Sequence, residues 1–187
     1  MHLRPELMPP RLDEARVARL AELAAAMDSS GELPDTLWSM VDAFNREAGT
    51  ELELIDFQGI YGWTDHDSWV RTLLVTREAH SVPGISYEEL LELTTRVMDH
   101  DGATHEVEFW FALLEKNLPE PRLSELIHQP DAYFGGPPGR DRTPREILDT
   151  ALAAPRARFI VPPARAGGGG AAGTTDERDE IPPRARR

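Results

Sequence analysis

Apolar residues recur three and four apart along most of this chain, the spacing of one face of a helix. Val17, Leu20, Leu23 and Ala24 make such a face after Asp13, whose carboxylate can cap a helix running to Met27. Leu37, Met40, Val41 and Phe44 make a second face, with Pro34 near the start of the segment. Residues 52–57 are long enough for a single turn. Thr64 then opens a helix containing Trp69, Val70, Leu73 and Leu74.

The plan recurs with stronger punctuation. Ser86 and Glu89 form a capping box ahead of the stripe Leu90, Leu91, Leu93, Val97 and Met98. Thr104 is placed to cap a helix bearing Val107, Trp110, Phe111 and Leu114, which Pro119 and Pro121 end. Residues 123–127 allow a turn or two before Pro130. Thr143 and Glu146 form another capping box, with Pro144 at the first position of a helix containing Ile147, Leu148, Ala151 and Leu152. Strand signals are weak: residues 52–55 alternate slightly and residues 158–161 are a short apolar run. The expected class is all-α, with Trp38, Trp69 and Trp110 in the core.

The similarity between the halves extends to residue identities. Met27-Asp28-Ser29-Ser30-Gly31 returns as Met98-Asp99-His100-Asp101-Gly102, 71 residues on. Trp38 returns as Trp110, and Glu53-Leu54-Ile55 as Glu125-Leu126-Ile127, each 72 residues on. Gly31 suits a left-handed helix terminus. The expected organisation is two tandem four-helix modules, residues 12–77 and 85–154, packed together because either alone would have a marginal core. From residue 155 the Pro/Gly/Arg-rich sequence is expected to be a disordered tail.

Charge sharpens this picture. The chain of 187 residues carries −13. Its tail holds seven Arg against four carboxylates, which leaves −16 on residues 1–154. Such a field repels nucleic acid and anionic lipid and steers basic proteins inward, although it also serves solubility. Cysteine is absent, which removes disulfides and thiol chemistry. No apolar run approaches membrane-spanning length, and residues 1–10 lack a signal-peptide core, so a cytoplasmic location is expected.

The second repeat carries a more specific pattern. Two acidic helices precede Ser124-Glu125-Leu126-Ile127-His128-Gln129-Pro130, a Gly/Asp-rich loop and a last helix. Over residues 85–154 this resembles the immunity proteins of E-group colicins and S-type pyocins, whose short third helix reads Asp-Leu-Ile-Tyr-Tyr-Pro. The first repeat is similar more loosely, through Glu53-Leu54-Ile55-Asp56-Phe57. The resemblance implies a non-enzymatic cytoplasmic inhibitor that binds and neutralises a basic, nuclease-type bacteriocin. It implies specificity positions at Thr104, Val107, Glu108, Phe111 and Glu115, with Ser124 and Glu125 beside an aromatic anchor. His128 and Gln129 stand where that family has its two tyrosines, and Asp56 and Phe57 hold those places in the first copy. This departure implies a divergent toxin, or an inhibitor that uses both modules. Phe57, Tyr61 and Trp63 could then supply aromatic anchors from the first copy, or they could cover the core beneath a loop.

Two other classes compete. The fold could serve as a regulatory adaptor with no toxin target. Asp65-His66-Asp67 and Asp99-His100-Asp101 could supply acid–base or metal chemistry. Both triplets lie at expected helix ends, where Asp caps, and the second lacks the later ligands of an EF-hand. His105 and His128 could share a surface site, though solvated or capping roles fit better. The glycines at 167–170 follow no strand and read as linker. No cofactor, metal, nucleic acid, membrane or small-molecule ligand is therefore expected.

Overall fold

The computed structural model describes residues 3–28, 34–62, 64–135, 139 and 141–155. All regular structure among them is helical. The helices are α1 (Glu14–Asp28), α2 (Pro34–Ala48), α3 (His66–Glu78), α4 (Tyr87–Asp99), α5 (Thr104–Asn117), α6 (Leu123–His128), α7 (Pro130–Phe134) and α8 (Pro144–Ala153). Three 3-10 turns accompany them: Pro5–Leu7, Leu54–Phe57 and Ile60–Gly62. No helix among the described residues is long and apolar enough to cross a membrane. The tail expected to be disordered lies outside the described residues from position 156, as do Ser29, Ser30 and Gly31 of the first Met-Asp signature.

Local chemistry explains most boundaries. The Asp13 carboxylate accepts the N–H groups of Ala15 and Arg16 at 2.9 and 3.3 Å, which starts α1. Ser86 accepts from the Glu89 N–H at 3.2 Å while the Glu89 carboxylate accepts from the Ser86 N–H at 2.9 Å. Thr143 and Glu146 make the same reciprocal pair at the head of α8. The α4 end is reversed by His100 in the left-handed region (φ 51°, ψ 44°).

Two expectations need correction. Asp65, one residue past Thr64, caps α3 by accepting the Ser68 N–H at 2.9 Å. Thr104 is the first residue of α5 rather than its cap; the Glu106 carboxylate takes the free Ala103 N–H at 2.9 Å. The short segment before Pro130 ends as expected, α6 stopping at His128, and Pro130 then opens α7. The Tyr133 hydroxyl of α7 donates to Glu120 at 2.6 Å, and its ring lies under the Arg122 guanidinium.

Residues Met1–Ala157 form one compact unit containing two hydrophobic clusters. The first gathers Val17, Leu20 and Ala24 of α1, Val41 and Phe44 of α2, Phe57, Ile60, and Val70 and Leu74 of α3. The second gathers α4, α5, α6 and α8. Helix α1 packs on α2 and α3, as α4 packs on α5 and α8, and α3 packs on α5. Val75 and Ala79 belong to the second cluster although Leu74 belongs to the first, so α3 is apolar on two sides.

The N-terminal segment is a feature that sequence periodicity did not reveal. Leu3 and Leu7 are buried in the second cluster, and Leu12 packs against both. The Leu7 carbonyl accepts the Trp110 indole N–H at 3.1 Å, and Arg4 pairs with Glu89 at 2.8 Å. The chain before α1 thus straps α4 and α5.

Burial separates two tryptophans that match in sequence. Trp110 is 3% exposed, whereas Trp38, expected in the core, is 54% exposed. In α2 the buried residues are Val41, Phe44 and Ala48; in α5 and its cap they are Val107, Phe109, Trp110, Leu113, Leu114 and Leu118.

Replacing Leu7 with Ala should lower unfolding stability by about 2–5 kcal/mol, as for other fully buried leucines. Urea denaturation followed by circular dichroism measures this, and a loss below about 1 kcal/mol, the scale of an exposed site, would refute the strap.

Candidate functional site: a notch between α4, α5 and α6

Thr104, Val107, Glu108, Phe111 and Glu115 follow one stripe of α5 because positions three and four apart stack on one face. Val107 is buried and Phe111 half-buried, while Thr104, Glu108 and Glu115 are exposed. At the end of α6, His128 brings its ring to 5.5 Å from that of Phe111, tilted by 45°. Together Thr104, Val107, Glu108, Phe111 and His128 line a notch of about 110 Å³, closed on its far side by Val97, His100 and Gly102. Gly102 is required there: at φ +137° a Cβ would sit 2.8 Å from the Glu106 carboxylate and 3.4 Å from the Trp110 ring.

The notch is small beside the roughly 300–1,000 Å³ of small-molecule sites. It has room for about one protruding side chain. Its floor is apolar, and the Glu108 carboxylate stands at its rim. Of the other expected positions in this half, Glu115 lies on α5, Ser124 and Glu125 on α6 and Gln129 just past it, all outside the notch lining. Ser124 and Gln129 are exposed. Glu125 is held by Arg122 at 2.6 Å, which keeps its carboxyl below the usual range. Glu115 continues the acidic stripe one turn beyond Phe111.

The first half is built differently. Phe57 is fully buried, with ring centroids 4.9 Å from Phe44 and 5.5 Å from Trp69, so it is a core residue with no face for a partner. Asp56 is exposed and accepts the Glu53 N–H at 2.8 Å, which steadies the 3-10 turn. Tyr61 is 80% exposed, and Trp63 lies outside the described residues.

The Asp/His triplets have structural work. Asp65 caps α3, and Asp67 pairs with Arg71 at 2.6 Å. His66 meets Asp28 at 2.9 Å, and Asp28 also accepts the N–H groups of Gly59 and Tyr61 at 2.7 and 2.9 Å. These bonds, led by that from Tyr61, hold the Asp28 carboxyl below its ordinary range. In the second half Asp99, His100 and Asp101 are all exposed. No group of three or more His, Asp or Glu side chains among the described residues is arranged to hold a metal ion. His105 and His128 do not meet in the notch: only His128 lines it, while His105 borders a separate open groove with Pro10, Glu14 and Arg71.

No protein-family model, curated protein or solved structure matches this chain. The geometry of the notch and its surrounding charge is therefore the ground for a functional reading.

Asp28→Asn should loosen the loop at residues 59–61 and lower stability at neutral pH. Because folding depresses the Asp28 pKa, its contribution is complete above the unfolded carboxylate value of about 3.9 and fades as pH falls through the folded value. The difference in urea midpoint between wild type and Asp28→Asn should accordingly close as pH falls below about 4. A difference that widens in acid would contradict this assignment.

Proposed function

We propose that this chain is a bacteriocin immunity protein, built from two tandem four-helix modules, that neutralises a basic nuclease-type toxin by binding it in the cytoplasm without catalysis. One observation carries the reading: Thr104, Val107, Glu108, Phe111 and His128, chosen from sequence resemblance, converge on one notch with an acidic rim. A repeated element order supports the tandem part, since two long, two short and one long element follow one another on each side of residue 80. The chemistry suits a protein partner. An apolar recess takes one anchoring side chain, and Glu108 and Glu115 attract a basic surface and select among partners.

A second reading is a regulatory adaptor for a non-toxin protein. It is favoured by Gln129, which is exposed and carries no ring where an aromatic anchor would stand. The partner's identity separates the two, since the adaptor would give no protection from any toxin.

Co-expression with a panel of bacteriocin nuclease domains should rescue growth for the cognate one, with a complex in the nanomolar range by calorimetry. Lack of both protection and tight binding across the panel would remove the toxin reading. Given a cognate toxin, Glu108→Lys and Glu115→Lys should each weaken the complex by about tenfold or more, mainly through slower association at low salt. Thermal melting should be unchanged, because both side chains are exposed.

A further inference from the structure

The three most exposed large hydrophobic residues among those described are Tyr61 at 80%, Ile55 at 65% and Trp38 at 54%, all in the first half. Scattered singly they would need no explanation; grouped, they mark a contact surface. Three features group them. Asp35, Trp38, Asp42 and Asn45 share one stripe of α2, and the Asn45 side chain bonds the Leu52 N–H and carbonyl at 2.9 and 2.8 Å. That stripe therefore borders the segment carrying Ile55. Tyr61 is fixed where α1 ends: its N–H donates to Asp28 and its ring stacks on His66 at 6.1 Å. Helix α2 packs on α1 and on the 3-10 turn that carries Ile55.

Charge identifies the occupant. Residues 34–62 hold Asp35, Asp42, Glu47, Glu51, Glu53 and Asp56 against a single basic residue, Arg46. Asp35 and Asp42 stand one turn to either side of Trp38 and are exposed. An indole face between two carboxylates suits a Lys or Arg side chain, through cation–π and ionic attraction together. A second copy of this acidic chain would bring like charge to the same place.

We infer that Trp38, Ile55 and Tyr61 form a second docking face, whose partner is a basic protein segment that lays a Lys or Arg side chain on Trp38 and apolar side chains on Ile55 and Tyr61. This inference uses neither the notch nor a toxin, so it stands or falls separately from the proposed function.

The full chain would be titrated with an amphipathic Lys/Arg/Leu peptide, and with its counterpart having Glu for every Lys and Arg, while the Trp indole resonances are followed by NMR. Saturable shifts should centre on Trp38, for the basic peptide alone. Trp38→Ala and Tyr61→Ala should each weaken binding by about tenfold, and Trp38→Phe should retain most of it. Melting temperatures of all three variants should match wild type, since the side chains are exposed. Unchanged affinity in Trp38→Ala, shifts centred on α5, or equal binding of the acidic peptide would overturn the inference. So would concentration-dependent self-association that Trp38→Ala abolishes, which would identify a second copy as the occupant.

Discussion

The fold depends on α3 burying two sides at once. Residues along a helix advance by about 100° each, so Val70 and Leu74 face one way while Val75 and Ala79 face another. The first pair closes the cluster around α1 and α2, and the second closes the cluster around α4 and α5. Each half has roughly the size at which a lone core is marginal. Sharing a wall lets both clusters exclude water without either being complete alone. Polar contacts then fix the wall's angle. Arg71 of α3 pairs with Asp67 of its own helix and with Glu14 at the head of α1, while Arg77 donates to the Ala48 carbonyl at the end of α2.

The strap before α1 follows from this arrangement. Trp110 carries an indole N–H that must be satisfied once its ring is buried. The Leu7 carbonyl supplies the acceptor, and Arg96 covers the ring with its guanidinium 4.9 Å from the centroid. Leu12 then passes between the clusters, so the segment that completes the second core also leads directly into the first helix of the other.

What could be read from sequence was what depends on neighbours along the chain. The Ser86 and Thr143 capping boxes are local i, i+3 devices, and they form as expected. The α5 stripe was legible for the same reason. Tertiary geometry was not legible. Trp38 looked like core because it is large and apolar, yet burial is set by rotation about the α2 axis, and Leu37, Val41 and Phe44 define a different face. Phe57 looked like an anchor by alignment, but Phe44 and Trp69 enclose it. The approach of His128 to Phe111 depends on how α6 crosses α5. The role of Leu3 and Leu7 depends on contacts a hundred residues away, which no periodicity announces.

The paired Met-Asp signatures show how equivalent positions acquire unlike roles. Asp28 ends α1 and receives two backbone N–H groups and a His side chain, so its charge is consumed in holding the loop that carries Tyr61. Asp99 ends α4 in exposure, and the next residue, His100, takes a left-handed turn that leads into the notch. An anchored carboxylate builds a rigid platform for apolar groups, whereas a solvated one adds to the field around a recess. The first half therefore spends its conserved-looking acid on shape and displays rings; the second leaves its acid in water and displays charge. Surfaces of such different character are suited to different contacts.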